Sequence, residues 1–202
     1  MSANHAAFNL IFRFVENYIS PIAGRISSQR HVMAIRDGFI SAMPFMIVGS
    51  FLLVFAYPPF SPDTTWGFAR AWLDLAKEFE GRILTPFDMT MGIMSIYICA
   101  AISYNLGKHY EKSNQLDPFM CAMLSIMAFL LIAAPKTNGT LPVDSLGGTG
   151  IFTAILVAIY CVEMMRFLKA HNIGIRLPDQ VPPMIKNSFD LLIPVLVVVL
   201  TL

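Results

Sequence analysis

The chain has 202 residues, of which 56% are apolar and only 13% are charged, whereas about 25% of residues are charged in soluble domains. The formal net charge of +1 gives no electrostatic reason to expect a nucleic-acid partner. Four runs without Asp, Glu, Lys or Arg are each 18 residues or longer: Gly38–Pro62, Met89–Gly107, Pro118–Pro135 and Ser145–Val162. Since a helix of about 20 residues crosses a bilayer, the composition predicts an all-α integral membrane protein.

Residues 1–31 carry an amphipathic pattern. Apolar residues recur at helical spacing from Phe8 to Ile22, while Arg13 and Glu16 face away from them. This pattern predicts a helix that lies in the membrane interface, with lipid as its partner. The charges do not fit the short apolar core of a cleavable signal peptide.

The apolar runs predict one scaffold domain over residues 32–202, with about five transmembrane helices. Their approximate ranges are 32–57, 86–110, 116–134, 150–168 and 184–202. Between the first two, the apolar face of Trp66–Glu80 predicts a second interfacial amphipathic helix, because tryptophan favours the headgroup level. The chain stops at Leu202 inside an apolar segment, so we expect it to be part of a longer protein.

Two of the predicted spans carry small residues at intervals of about one helical turn. Such residues let helix backbones approach closely, so they predict helix-packing faces and association between copies of the chain. A chance pattern in segments rich in small residues is the alternative. The residues are Ser95, Cys99, Ser103 and Gly107 in the second span, and Gly150, Ala154 and Ala158 in the fourth.

The sequence offers few groups for chemistry. Cys99, Cys121 and Cys161 fall inside apolar runs and are expected to be packing residues, so neither a metal nor another cofactor is predicted. Glu163 and Arg166 stand three residues apart and can pair on one helix face. The alternative is a functional carboxylate, since an ionisable group within a span is a site candidate.

The distribution of Lys and Arg predicts the orientation. Ten of them lie at the N-terminus and in the links after the second and fourth spans, and four lie on the opposite side. The positive-inside rule therefore places the N-terminus in the cytoplasm, together with the link before the fifth span. Pro178, Pro182 and Pro183 restrict the backbone of that link, which an ordinary stiffened loop would also explain.

The chain resembles a known family over nearly all of its length. Four stretches carry the resemblance: Pro21–Ala23 with His31–Phe39, Met43-Pro44 with Gly49-Ser50, Gly148–Ala154, and Leu177–Pro183 with Asn187–Phe189. The chain is similar to the N-terminal half of enzyme IIC, the membrane component of bacterial phosphotransferase-system sugar permeases, in the lactose/cellobiose/chitobiose family.

The resemblance implies a scaffold and dimerisation half of a permease for β-linked disaccharides in the bacterial inner membrane. It implies a homodimer and a partner IIB protein that phosphorylates the sugar. The sugar would be held mainly by a C-terminal half that this chain does not contain, so no catalytic residue is expected in it. The link between helices four and five would cover the sugar cavity through Pro182, Pro183, Asn187 and Ser188. A membrane scaffold or assembly subunit that does not transport is the alternative.

Overall fold

The computed structural model describes residues 16, 20–135, 142–174, 182, 185 and 189–202. All regular structure in these residues is helical. The helices are α1 (Ser20–Ser27), α2 (Arg30–Ala56), α3 (Gly67–Asp88), α4 (Met94–Asn114), α5 (Pro118–Ala133), α6 (Ile151–Ala170) and α7 (Leu192–Thr201), and a 3-10 turn over Gly148–Gly150 leads into α6. Of the predicted N-terminal interfacial segment 1–31, the structure describes Glu16 and residues 20–31, which form α1 and the start of α2.

Helix α4 is the centre of the bundle, because α2, α5 and α6 all pack against it. Ile98, Ile102 and Leu106 lie at one-turn spacing on α4 and are fully buried, which is the pattern of a core-facing helix stripe. Gly38 allows α2 to come close, since a Cβ at this position would overlap the Ile102 side chain. Backbone contact of this kind is the usual basis of helix association where lipid replaces water.

The second amphipathic helix is longer than predicted, and the following span begins later. Helix α3 continues through Pro86 to Asp88, and turns occupy residues 89–93 before α4 begins at Met94. Residue 86, where the second span was predicted to start, therefore lies inside α3, and the next helix begins at Met94. Gly92 allows the tight turn at this break, because a Cβ there would overlap the carbonyl oxygen of Asp88.

The turn between α4 and α5 is set by local chemistry. Gln115 has a positive φ of 53° and ends α4 in a left-handed C-cap. Asp117 then caps α5, because its side chain accepts hydrogen bonds from the backbone N–H groups of Phe119 at 2.9 Å and Met120 at 3.3 Å. Pro118 at the first helical position has no N–H group to satisfy. The two helices are therefore antiparallel neighbours.

Two of the described helical segments are both long and apolar enough to cross a membrane, namely Arg30–Ala56 and Gly148–Ala170. Pro118–Ala133 and Leu192–Thr201 are shorter apolar helices. Residue 184, the predicted start of the fifth span, lies outside the described part of the chain, as do residues 186–188. Helix α4 has the length of a span, but it carries more polar side chains than α2 does.

Candidate functional site at one end of the bundle

Polar side chains from three helices meet at one end of the bundle. Glu163, near the end of α6, is at their centre: its Oε1 accepts a hydrogen bond from the Tyr110 hydroxyl at 2.7 Å and lies 2.9 Å from Nε2 of His31. Its Oε2 lies 3.1 Å from Nε of Arg166, which confirms the predicted pair. We call His31, Tyr110, Glu163 and Arg166 the end cluster. It ties the start of α2 to the final turns of α4 and α6.

Two guanidinium groups flank the aromatic ring of the end cluster. Tyr110 is only 2% exposed, and the Cζ atoms of Arg30 and Arg166 lie 5.5 and 4.8 Å from the centre of its ring. Nη1 of Arg166 also donates a hydrogen bond to the Tyr110 hydroxyl at 3.0 Å. Cation–π attraction and charge-assisted hydrogen bonds thus hold this ring in one orientation.

A lysine extends this network toward α7. Nζ of Lys169 donates a hydrogen bond to the carbonyl oxygen of Gln115 at 2.7 Å and lies 3.4 Å from Oδ2 of Asp190. Gln115 belongs to the turn between α4 and α5, and Asp190 lies just before α7. One side chain at the end of α6 therefore joins both ends of the link over residues 171–190 to the body of the bundle.

The arrangement is suited to holding helix ends and the link in place, and it has no obvious reactive group. Its polar groups are paired and only partly exposed, 32% for His31 and 28% for Glu163, so each partner satisfies a group that lipid would not solvate. Within the described ranges, no group of three or more His, Cys, Asp or Glu residues could hold a metal ion.

The four predicted lid residues are described only in part. Pro182 is exposed, and its carbonyl oxygen accepts a hydrogen bond from the backbone N–H of Ile185 at 3.0 Å. Pro183, Asn187 and Ser188 lie outside the described residues.

The small-residue stripes are buried inside the chain. Ser95, Cys99, Ser103 and Gly107 all face the core of the bundle; the thiol of Cys99 donates to the carbonyl oxygen of Ser125 in α5 at 3.5 Å. A Cβ at Gly107 would lie 3.0 Å from Sγ of Cys121.

The stripe on α6 is enclosed in the same way. Gly150 lies at the N-cap of α6, where a Cβ would be 3.1 Å from Oγ of Ser95, and Ala154 and Ala158 are fully buried. The expectation that these two stripes join separate copies is therefore wrong, because helices of the same chain already occupy both faces.

Sequence reasoning missed the contact between His31 and Glu163, which are 132 positions apart. No local spacing connects them. The signal that was available is topological: both residues lie on the side to which the Lys and Arg count assigns the N-terminus. A polar residue at the start of one span and a carboxylate near the end of another can meet there, provided that the two helices are neighbours.

The apolar helices and the paired charges at the bundle end define an integral membrane protein of the all-α class, as predicted. The family model described as "Phosphotransferase system, EIIC" matches residues 36–202. The chain therefore belongs to the phosphotransferase-system EIIC family.

The relatives are sugar-specific membrane components. The chain is 35% identical to the cellobiose-specific EIIC component of Geobacillus stearothermophilus, over 93% of this chain and 43% of the relative. It is 33% identical to a lactose-specific EIICB component of Streptococcus mutans, over 86% and 30% of the two chains.

A solved structure shares the fold. The crystal structure of the transporter ChbC, the IIC component from the N,N'-diacetylchitobiose-specific phosphotransferase system, superposes with a TM-score of 0.76 at 34% identity. The match covers 94% of this chain and 45% of ChbC. The chain thus spans less than half the length of these three relatives.

Proposed function

We propose that this chain forms the membrane scaffold of a phosphotransferase-system permease for β-linked disaccharides. Membership of the EIIC family supports the class of function. The substrate range is supported by the names of the relatives, which are specific for cellobiose, lactose, oligo-β-mannoside and N,N'-diacetylchitobiose. The sugar would be held mainly by a C-terminal half of the permease, since the described part of this chain offers no enclosed site built from several convergent polar groups.

The proposed orientation places the N-terminus, the end cluster and the link before α7 on the cytoplasmic side. The concentration of Lys and Arg at this end supports it. A IIB protein would act on the same side, and the EIICB name of the lactose-specific relative supports that partnership. Two copies would form a homodimer through a surface other than the buried small-residue stripes.

The contacts of Lys169 support our proposal for the link between α6 and α7. Lys169 holds Asp190 and the carbonyl oxygen of Gln115 at the same time, so the segment that contains Pro182, Pro183, Asn187 and Ser188 is anchored at both of its ends. An anchored, proline-stiffened link has less conformational entropy to lose when it closes over a sugar. We propose that these four residues form the lid.

The test uses a permease of the relatives' length that contains this chain, together with a IIB protein. Uptake and phosphorylation of cellobiose, lactose and N,N'-diacetylchitobiose are measured in vesicles. We expect phosphorylated product from at least one sugar, and slower uptake with unchanged expression when Pro182 and Pro183 are both replaced by Gly. Absence of uptake for every sugar would favour the scaffold or assembly subunit. Uptake at the wild-type rate in the double variant would reject the lid.

A further inference from the structure

An apolar groove runs along α3 beside the C-terminal end of α2. One wall is formed by side chains that recur every three or four positions on a single face of α3, and the other wall is a ring of α2. We call it the α3 groove. It has a volume of about 580 Å³ and is lined mainly by Phe68, Trp72, Leu75, Phe79 and Ile83 of α3 and by Phe55 of α2.

Contacts within the chain fix the shape of the α3 groove. Nε1 of Trp72 donates a hydrogen bond to the carbonyl oxygen of Phe55 at 3.3 Å, and the two rings lie 5.7 Å apart. The rings of Phe60 and Phe68 also pack against Trp72, at 5.7 and 5.9 Å. The groove nevertheless stays open, because Phe68 and Leu75 are 61% and 55% exposed.

The α3 groove belongs to a helix with the character of an interfacial segment. Arg70, Asp74 and Lys77 are exposed on the side of α3 that faces away from the groove, so the helix has one charged and one apolar side. Such a helix lies in the plane of the interface with its apolar side toward the acyl chains. The Lys and Arg count assigns this end of the bundle to the outer side.

Arg82 breaks the pattern, because it is a cation on the apolar side of α3. It lies seven positions after Leu75 and therefore shares its face, and its Cζ is 5.7 Å from the centre of the Phe79 ring. Glu78 stands one turn earlier, but Arg82 forms no ion pair with any residue that the structure describes. An exposed guanidinium thus borders one end of an apolar groove.

A phospholipid has the chemistry that matches both parts of this surface. Its phosphate is an anion that a guanidinium binds through paired hydrogen bonds, and its acyl chains begin one glycerol unit away. Headgroups and acyl chains also meet at the depth of an interfacial helix. A second copy of the chain would instead have to supply a carboxylate and an apolar side chain at the same spacing.

We propose that the α3 groove binds one phospholipid of the outer leaflet, with an acyl chain along Trp72 and Leu75 and the phosphate at Arg82. The inference goes beyond the proposed function, since it does not depend on the sugar. It assigns a specific lipid site, which is more than the general contact of an interfacial helix with the bilayer.

The first experiment measures lipid binding to a permease of the relatives' length that contains this chain. The protein is purified in detergent, titrated with dioleoylphosphatidylglycerol and observed by native mass spectrometry. The dissociation constant of the first bound lipid should rise about 5-fold in Arg82→Gln, the effect of one basic residue beside an anionic headgroup. Arg82→Lys keeps the charge and should lie between that variant and the unsubstituted protein.

Arg70→Gln is the matched control, because it removes an exposed arginine from the charged side of the same helix. Its dissociation constant should equal that of the unsubstituted protein. Dioleoylphosphatidylcholine has a phosphate whose charge is balanced by choline, so it should bind more weakly than the phosphatidylglycerol.

The second experiment identifies what occupies the α3 groove. Leu75→Cys places a thiol in the middle of the groove, and an apolar maleimide should label it in the delipidated permease. Added phosphatidylglycerol should slow that labelling and leave labelling of Arg70→Cys unchanged. The three native cysteines are buried, and the unsubstituted protein sets the background.

Four results would overturn the inference. Two concern affinity: equal dissociation constants for Arg82→Gln and the unsubstituted protein, or an equal loss in Arg82→Gln and Arg70→Gln. Efficient disulfide cross-linking of Leu75→Cys between two copies would assign the groove to a second copy. Failure of Leu75→Cys to react in the delipidated permease would show that another part of the same permease covers it.

Discussion

Gly107 illustrates how a single missing side chain determines helix packing. A Cβ at this position would lie 3.0 Å from Sγ of Cys121 and 3.1 Å from Cα of Pro118. Because both atoms belong to α5, Gly107 sets the distance between α4 and α5. Gly81 offers a matched comparison, since it lies within α3 and a Cβ there would meet nothing within 4 Å.

We therefore predict that Gly107→Leu destabilises the folded protein by about 1–3 kcal/mol, the usual cost of overpacking a filled interface. Gly81→Leu should be close to neutral. Thermal unfolding in detergent, followed by size-exclusion chromatography, measures the difference. Equal melting temperatures for the two variants would show that the contact between α4 and α5 has room for a larger side chain at residue 107.

Glu163 is the residue on which the end cluster depends, because His31, Tyr110 and Arg166 all contact its carboxylate. Glu163→Gln keeps the shape and removes the charge, so Arg166 loses its ion-pair partner in a partly buried position. We predict a loss of about 1–3 kcal/mol in the free energy of unfolding, as for other hydrogen bonds to charged groups.

The control for Glu163→Gln is Asp37→Asn. Asp37 pairs with Arg36 at 2.8 Å, but the arginine side chain is 61% exposed, and an exposed pair contributes only about 0–1 kcal/mol. A denaturation series for both variants under one set of conditions provides the measurement. If Asp37→Asn destabilised the protein as much as Glu163→Gln, the end cluster would have no special importance.

At the scale of the element, α7 depends on contacts with side chains of other helices. It packs against α5 and α6, and Val198 is fully buried. The contact between Lys169 and Asp190 restrains its start. A short apolar helix of this kind gains little stability by itself, since most helical stability in proteins comes from tertiary packing.

We predict that Lys169→Ala increases amide hydrogen exchange in α7 while leaving α5 unchanged, because the variant removes both the ion pair with Asp190 and the hydrogen bond to Gln115. Lys112→Ala is the control, since Lys112 is an exposed basic residue in the last turn of α4. Hydrogen exchange by mass spectrometry in nanodiscs resolves the two helices. Faster exchange in both variants would indicate a general loss of charge rather than a specific anchor.

At the scale of the whole molecule, helix order and charge together predict the topology. The proposed orientation places residue 113 in the cytoplasm and residue 140 outside, since one span separates the α4–α5 turn from the following loop. Reporter fusions after Ser113 and after Thr140 test this directly. We expect a cytoplasmic reporter to be active only at the first position and a periplasmic or external reporter only at the second. The reverse pattern would invert the topology and place the end cluster on the outer face.

Composition alone was sufficient to identify an all-α membrane protein, and the spacing of charge-free runs located most of the helices. Both signals are local and additive, because each apolar residue contributes to membrane insertion largely independently of its partners. The Glu163–Arg166 pair could also be predicted, since a helix places residues three apart on one face. The family was predicted from a resemblance carried by short contiguous motifs, and the match of the family model to residues 36–202 confirms it.

The tertiary structure decided which faces meet. It assigned the small-residue stripes to packing within one chain, placed the helix break at residues 89–93 and brought His31 to Glu163. None of these outcomes is encoded at a fixed spacing. Each depends on which helices become neighbours and on their rotation about their own axes, and these are set by close packing summed over the whole bundle.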